Sequence, residues 1–508
     1  MKASDRTLFI GRAAEAREMD RRTIVDLGVP GVVLMEAAGA GTARHILERL
    51  GETPRKTAVV CGGGNNGGDG YVIARHLVDA GWTDVVCIST ADTATLKGDA
   101  AFNYRLWTEA SAGKTLAADA KKVWSKLNHA HVIVDALFGT GLSRPIEGAA
   151  AKLIEWANES KAFKVAVDLP SGVQADTGAV FEPAFQADLT ATYGVSKIGL
   201  HQYPGASLAG EVVVVNIGLP RAVVEGVAPC ARLLTEPAAA LLVPDRPADG
   251  HKGRFRHVGI VGGSPGMEGA AVLTALGAFR AGAGLVTWNR PSLAGQGETD
   301  IQRPPELMVH TIGDDGLDDR SFALVVGPGL GKDRSAHEAL ALAVASNRSL
   351  VVDADGLNVL GDTSLPADTV ITPHPAEAAR LLGVTTADVQ ADRPAAALRL
   401  VDALGVTVVL KGAATLIAGP ERPLTIVQGG QPALSVAGSG DVLAGVIASL
   451  RGQGLWAYDA ARLGVYLHVR AGELVGVEGA NRGALASDIA DAVRTALGHL
   501  AAAADWQG

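Results

Sequence analysis

Short runs of aliphatic and β-branched residues alternate with stretches of helical character along the first part of the chain. TAVV ending at Val60, DVVCI ending at Ile88, VIV from Val132 and KVAV from Lys164 predict strands. YVIARHLVDAG from Tyr71 and AKLIEWANES predict helices between them, and DLTATY and EVVVVNI predict two more strands. Strands that are apolar throughout, rather than alternating, belong to a parallel sheet covered by helices on both faces. Between Arg221 and Gly250 the pattern loosens around Pro229, Pro237, Pro244 and Pro247, which marks a junction. Its edge is soft, because LLTEPAAALLV fits the second domain as well. From His257 the alternation restarts, with HVGIV, ALVVG, SLVVD, TVITP and TVVLKG as strands. Ala270 to Ala281, SGDVLAGVIASL and the stretches from Asp459 and Ser487 predict helices. The halves share no motif repeat, so two different α/β domains are expected, at 1–225 and 226–508.

Composition narrows the class. A chain of 508 residues is too long for one core. With 48 % hydrophobic and 19 % charged residues, wholesale disorder is excluded. A formal net charge of −9 removes non-specific nucleic-acid binding as a default. Cys61, Cys87 and Cys230 are far apart, so neither a disulfide framework nor a zinc site is expected, and a reducing compartment fits. The polar N-terminus lacks a signal-type apolar core, and Arg280 breaks the longest apolar stretch, Gly269 to Trp288. A cytoplasmic protein without membrane or nucleic-acid partners is expected. The 63 glycines follow no collagen period, so they are assigned to turns, loops and close helix packing.

Candidate chemistry in the first half gathers at strand ends. CGGGNNGGDG, from Cys61 to Gly70, follows a strand and opens a helix. Backbone N–H groups there approach an anionic ligand closely, and the helix dipole favours negative charge. Gly62-x-Gly64-x-x-Gly67 matches the dinucleotide fingerprint. The next strand, however, ends in Ser89 and Thr90 without the acidic residue that grips a ribose, so a tightly held NAD is disfavoured. VIVDALFGTGLSRP sets Asp135 past a strand with a GTG loop after it, and VAVDLPSGV sets Asp168 and Ser171 past another. Ligands of open α/β sheets bind outside the carboxyl ends of the strands, so three such ends imply one crevice. Taken alone, Asp168 reads equally well as a turn or helix cap.

MEAAG from Met35, GGNNGGDGYVIARHL, VDALFGTGL, VDLPSG and YGVSKIGLHQYPG together resemble the NAD(P)H-hydrate epimerase domain, which has a Rossmann-like doubly wound sheet. The resemblance implies a potassium ion held by Asn66, Asp135 and Ser171, whose oxygens are hard donors suited to an alkali ion. It implies hydrate contacts from Asn65, Asn66, Gly67, Gly68 and Asp69, and from Gly139, Thr140, Gly141, Leu142, Ser143, Arg144 and Pro145. Asp168 joins both the contact set and the chemistry. The substrate would be a hemiaminal at C6 of a hydrated nicotinamide ring. Exchanging its R and S forms needs proton transfers near a transient cation, moved by Asp168, with Arg144 positioning a phosphate or polarising the leaving hydroxyl. Ala37 stands where the family often has Asn.

In the second half AGSGDVLAGVIASL carries the strongest signal. Gly438, Ser439 and Gly440 leave a helix N-terminus bare, a cradle for a transferring phosphoryl group. Asp441 is placed to take a proton from a hydroxyl; the plainer alternative is an N-cap. No GxxxxGK[ST] occurs, and AGKT at Ala112 has Thr108 where the first glycine belongs, so a P-loop ATPase is excluded. Lys411, Gly412, Ala413, Ala414 and Thr415 in VVLKGAATLI offer a cation, a glycine and a hydroxyl at a strand end, or simply a solvated lysine. His374 alone reads as a strand-end histidine, and no HExxH spacing suggests zinc.

With HKGRFRHVGIVGGSPGMEGAA, VVGPGLG, VVDADGLNVL and TPHPAEAARLLG, these motifs resemble the ADP-dependent NAD(P)H-hydrate dehydratase domain, of the ribokinase-like α/β class. The resemblance implies hydrate contacts from Ala270, Gly331, His374 and Asp441, and nucleotide contacts from Lys411 to Thr415 and Gly440. It implies ADP as phosphoryl donor, with ATP as an alternative, and magnesium on the nucleotide phosphates. Asp441 would deprotonate the C6 hydroxyl, and phosphate would leave after transfer. The expectation is a bifunctional enzyme acting on NADHX and NADPHX, assembled as a homo-oligomer. The alternative is a ribokinase-like small-molecule alcohol kinase with an attached binding domain, which shares the GSGD logic but makes a stable phosphorylated alcohol.

Overall fold

The computed structural model describes residues 8–246, 249, 256–291, 301–313, 315–477 and 481–505. His251–Phe255, at the start of the HKGRFRHVGIVGG motif, lie outside the described residues. The chain divides into two compact units, Phe9–Ala231 and a second that begins again at Arg232. The loosened stretch around the division carries short helices, Arg221–Val227 and Glu236–Ala240. All three cysteines are free. Among the described residues no helix is long and apolar enough to cross a membrane.

Seven strands build the first unit: β1 (Thr57–Cys61), β2 (Val85–Ser89), β3 (Lys114–Ala117), β4 (Val132–Ala136), β5 (Phe163–Val167), β6 (Leu189–Tyr193) and β7 (Glu211–Val215). Their spatial order is β3-β2-β1-β4-β5-β6-β7, parallel throughout. Residues of β1 alternate between two cores. Ala58 and Val60 pack with Ile133, Leu153 and Ile154, whereas Val59 and Cys61 pack with Ile46, Tyr71 and Ile73. Both faces are dry, so the sequence of β1 shows no polar alternation. Strand order reverses direction between β1 and β4, and that reversal opens a crevice at their carboxyl ends.

Helix α1 (Gly31–Leu50) and helix α2 (Asn65–Asp79) lie beside this crevice. The glycine-rich segment, expected to be a loop up to Tyr71, is helical from Asn65 onward. Packing overrides the poor helix propensity of glycine here. A Cβ at Gly67 would lie 2.0 Å from the Gly62 carbonyl oxygen, and one at Gly70 would lie 2.8 Å from Ala136 Cβ. The bare helix face thus rests directly on the ends of β1 and β4.

The second unit carries β8 (His257–Val261), β9 (Leu285–Arg290), β10 (Met308–Thr311), β11 (Ala323–Val326), β12 (Ser349–Val352), β13 (Val370–Ile371), β14 (Thr407–Leu410), β15 (Thr415–Ala418) and β16 (Leu424–Val427). They are ordered β10-β9-β8-β11-β12-β13-β14-β15-β16. Pairing is parallel up to β14 and antiparallel for the last two pairs. The strand–helix alternation stops at β14 because only Lys411–Ala414 link it to β15, too short for a crossover. Its helices include α3 (Glu268–Arg280), α4 (Pro375–Leu382), α5 (Ser439–Gly452), α6 (Ala457–Val477) and α7 (Ala486–Asp505). Two glycines let α3 and α5 touch: a Cβ on Gly277 would sit 2.2 Å from Val442 O, and one on Gly445 2.0 Å from Thr274 O. That contact fixes the start of α5 against the middle and end of α3.

Candidate functional site

A cavity of about 550 Å³ occupies the crevice of the first unit. Gly63, Gly64, Asn65, Asn66 and Asp69 line it from the β1–α2 junction, and Leu137 to Leu142 from the segment after β4. Asp168 follows β5, Tyr193 ends β6, and Lys197 and Asp20 complete the polar lining. The three strand ends singled out in the sequence therefore meet in one place. Gly67 and Gly68 face the other way: the first abuts Gly62 and the second Met35 Sδ at 2.7 Å from an added Cβ. Ser143, Arg144 and Pro145 are exposed and are not among the lining residues.

Asp168 holds a left-handed backbone, φ +64°, fixed by its N–H donating to Ala191 O at 2.8 Å. Its Oδ1 accepts from Lys197 Nζ at 2.5 Å, Thr192 Oγ1 at 3.2 Å and Tyr193 N–H at 3.3 Å. A Cβ added at Gly139 would meet Asn66 Oδ1 at 3.2 Å and Asp168 Oδ2 at 3.5 Å, so those two oxygens flank one spot. Asp135 is buried and accepts from Ser171 Oγ (2.7 Å), Ser171 N–H (2.8 Å) and Leu137 N–H (3.2 Å). Burial pushes its carboxyl up to about 6 against those hydrogen bonds. Asn66 Nδ2 is buried without a partner. Burial lifts Asp69 well above the usual carboxylate range, with the Asp168 and Asp20 charges acting the same way. Asp20, likewise desolvated, rises to about 6.

In the second unit the site is assembled by loops at strand ends. Gly438, φ +87°, caps α5, so Asp441 lies inside the first turn and is not the N-cap. Burial, then the charge of Asp353 and that of Asp355, push the Asp441 carboxyl up to about 7, opposed by Lys411. Lys411 is not a solvated lysine: it is largely buried and donates to Asp353 Oδ1 at 2.7 Å, with Glu377 Oε2 at 4.0 Å. A Cβ at Gly440 would lie 3.3 Å from Lys411 Nζ, so the ammonium stands at the mouth of α5. Gly412 and Ala413 are exposed in the β14–β15 turn, Ala414 and Thr415 are buried, and Thr415 Oγ1 donates to Gly412 O at 2.9 Å.

His374 caps α4. Its Nδ1 accepts from Ala376 N–H (3.1 Å) and Glu377 N–H (3.3 Å), while Glu377 Oε2 accepts from His374 N–H (2.8 Å). Nδ1 is therefore the acceptor nitrogen, and the exposed Nε2 carries the proton. Between Asp353 and Asp355, Ala354 takes φ +48° and ψ −120°. The kink sends Asp353 to Lys411 and Asp355 to Gly331 N–H, at 3.0 Å. Ser264 in turn ties the loop before α3 to the same segment, through Leu330 O at 2.6 Å and Gly329 O at 2.7 Å. Gly331, His374, Lys411 and Gly440 are thereby linked through Asp355, Glu377 and Asp353, with Asp441 feeling the charge of Lys411 and Ala270 packed under Gly329.

Residues 31–199 match the family model described as YjeF-related protein N-terminus, and residues 258–495 match NAD(P)H-hydrate dehydratase. A Moorella thermoacetica relative, the bifunctional NAD(P)H-hydrate repair enzyme Nnr, is 39 % identical, covering 95 % of this chain and 96 % of the relative. The chain belongs to the bifunctional NAD(P)H-hydrate repair enzyme family. The Escherichia coli member is 36 % identical, covering 94 % of this chain and 92 % of its own. A solved Bacillus subtilis ADP/ATP-dependent NAD(P)H-hydrate dehydratase, co-crystallised with ATP and Mg²⁺, is 27 % identical. It covers 52 % of this chain and 97 % of its own, with a TM-score of 0.46.

Three residues of this family member escaped sequence reasoning. Lys197 lies inside the YGVSKIGLHQYPG motif but faces Asp168, distant in sequence. Asp20 comes from an amphipathic N-terminal helix and carries no motif. His468 of α6 is buried with Nε2 at 3.0 Å from both Ser439 Oγ and Ser439 O, and it braces the phosphate-type loop from behind. Among the described residues no group of three or more His, Cys, Asp and Glu side chains forms a metal cluster.

Proposed function

We propose that the chain repairs hydrated nicotinamide cofactors in two steps. The first unit interconverts the R and S hydrates of NADH and NADPH. The second dehydrates the S form with ADP, giving NAD(P)H, AMP and phosphate. The observation that carries this reading is a matched pair of sites. One is a crevice where the Asp168 carboxylate faces an Asn-lined cavity, and the other a helix mouth where Asp441 stands beside Lys411.

In the first site Asp168 Oδ2 moves the proton of the hemiaminal, with Asn65, Asn66 and the Gly139–Leu142 segment shaping the pocket. The oxygens of Asn66, Asp135 and Ser171 suit potassium. The buried, unpartnered end of the Asn66 amide fits this, because an amide oxygen turned there gains a cation partner. Bound potassium supplies fixed positive charge beside the substrate.

In the second site Asp441 takes the C6 hydroxyl proton. The hydroxyl oxygen attacks the terminal phosphorus of ADP, the bond to AMP breaks, and the bare Gly438–Gly440 amides stabilise the charge that develops. The ring nitrogen then expels phosphate and a C5 proton is lost, restoring the reduced ring. Asp353, Asp355, Glu377 and Asp441 outnumber Lys411, so the site fits a nucleotide brought in with magnesium. His374, Ala270 and Gly331 border the hydrate in this reading. The enzyme is read as cytoplasmic and homo-oligomeric, the latter checked by light scattering of the purified chain.

The test supplies mixed R and S hydrate with ADP or ATP and follows recovery of reduced-nicotinamide absorbance. Wild type converts all of it. Asp168→Asn stops after the S fraction, apart from slow spontaneous exchange, and Asp441→Ala releases no phosphate while still exchanging R and S. A stable phosphorylated alcohol as the product would replace this reading with the kinase.

A further inference from the structure

Epimerisation at C6 asks for two proton-transferring groups, because the departing hydroxyl takes a proton and the water that replaces it gives one up. Asp168 supplies one. Its setting shows which task it suits. Lys197, itself buried, spends its three N–H bonds on Asp168 Oδ1 (2.5 Å), Thr192 Oγ1 (3.0 Å) and Tyr193 O (3.0 Å). With no donor left over, Lys197 does not bind substrate; it fixes Asp168 through Oδ1 and leaves Oδ2 facing Gly139. The strand pair Ser196–Lys197 with Ile10–Gly11 fixes the lysine in place.

The cavity holds a second carboxyl in the opposite condition. Asp69 is only 7 % exposed, borders the cavity and has no side-chain hydrogen bond to any described residue. Its charged and titratable neighbours are Asp168, Asp20, Lys197 and Tyr193. A buried carboxyl without donors is stable only with its proton on. Asp20 and Asp99 also border the pocket but are only half-buried; of its two buried carboxyl groups Asp168 is paired with an ammonium and Asp69 is isolated, and such a pair divides into base and acid.

Accepting the epimerase reading of this cavity, we propose that Asp69 is its general acid and that Lys197 is the positioning residue that holds Asp168 as the base. The Asp69 proton passes to the C6 hydroxyl oxygen. The C6–O bond breaks with its electron pair leaving on water, and the N1 lone pair forms N1=C6. Water adds to the other face, its oxygen pair forms the new C6–O bond, and the N1=C6 pair returns to nitrogen. Asp168 takes the proton released. The proton then returns from Asp168 to Asp69 through cavity water, and the opposite exchange runs by the same steps reversed.

The test uses the full-length chain and a purified R hydrate, with S hydrate appearance read by chiral chromatography. Asn keeps the shape and neutrality of a protonated Asp69 but transfers no proton. Asp69→Asn is therefore expected to lose roughly 100- to 10,000-fold in R-to-S kcat with hydrate KM within a few-fold. Direct dehydration of S hydrate by the second unit stays at the wild-type rate. Lys197→Met frees the Asp168 carboxyl to turn and lowers R-to-S kcat with hydrate KM within a few-fold, and Lys197→Arg, which keeps a cationic donor for Asp168 Oδ1, restores kcat in part. Near-UV circular dichroism and hydrate binding establish that the Asp69→Asn cavity is folded, and Asp69→Ser serves if it is not. An Asp69 variant that is folded and retains R-to-S exchange within a few-fold, while Asp168→Asn is inactive, overturns the proposal and spares the epimerase reading. A wild-type chain that never exchanges R and S overturns that reading instead.

Discussion

Gly67→Ala tests the claim that glycine in the β1–α2 segment serves contact rather than flexibility. The new Cβ would lie 2.0 Å from the Gly62 carbonyl oxygen. That is roughly 1.5 Å inside the ~3.5 Å at which non-bonded heavy atoms rest. Because the obstacle is backbone, no rotamer change relieves it, and the cost falls at the upper end of overpacking, about 3 kcal/mol. Alanine regains about 1 kcal/mol of helix propensity over glycine. The net of about 2 kcal/mol lowers the first unit's melting temperature by roughly 4–8 °C for a domain of this size. The same displacement moves Asn65, Asn66 and Asp69, which share the helix turn, so epimerase kcat falls by about 100-fold. Scanning calorimetry of the full chain with separate epimerase and dehydratase assays reads both effects. Gly64→Ala is the thermal control, since nothing lies within 4 Å of its Cβ. A Gly67→Ala protein with unchanged melting and unchanged epimerase rate would refute the packing account.

Two further outcomes concern the second unit. Asp441 must be ionised to act as base, and its carboxyl sits at about 7 in the free enzyme. Dehydratase kcat/KM should therefore climb about tenfold per pH unit below that value and level off above it. Asp355→Asn, which removes a neighbouring negative charge, moves the limb to lower pH; a profile flat from pH ~5 to ~8 contradicts the assignment. Lys411→Met leaves buried Asp353 and Glu377 without their cation, costing the second unit about 3–5 kcal/mol, and Asp353→Asn in the same chain should recover part of that. Denaturant unfolding measures it, and an unaltered midpoint for the single variant denies the ion pair its role.

Much of this architecture could be read along the chain because the physics was local. Continuous apolar runs such as Val59–Cys61 and Val132–Val134 are fully buried, so their burial on both faces was written in their composition. Asp135 and Asp168 stand next to such runs and Asp441 follows the bare Gly438–Gly440 stretch at a helix start, and they are visible for that reason. Helix α2 was misjudged over Asn65–Gly70 because local propensity speaks against glycine while the contact that rewards it, Gly67 on Gly62, needs the folded sheet. The β14–β16 meander was hidden because each strand looks like its parallel neighbours and only the short Lys411–Ala414 link separates the cases. Lys197 carries no legible role, and Asp69 is legible only as a hydrate contact, since the significance of both lies in which of them pairs with Asp168 across long sequence separations. Lys411 was recognised by position, yet its burial against Asp353 is a tertiary fact.

The kink at Ala354 has a mechanical consequence. Alanine at φ +48°, ψ −120° sits in a region that glycine occupies more cheaply, so the neighbouring structure holds it there. Asp353 and Asp355, one on each side, grip the turn after β14 and the loop after β11. A rotation about this one residue would therefore pull on both at once, as a yoke does on two traces. Replacing Ala354 with glycine would slacken the yoke without touching either carboxylate, letting the two grips drift apart in timing while every contacting group remains in place.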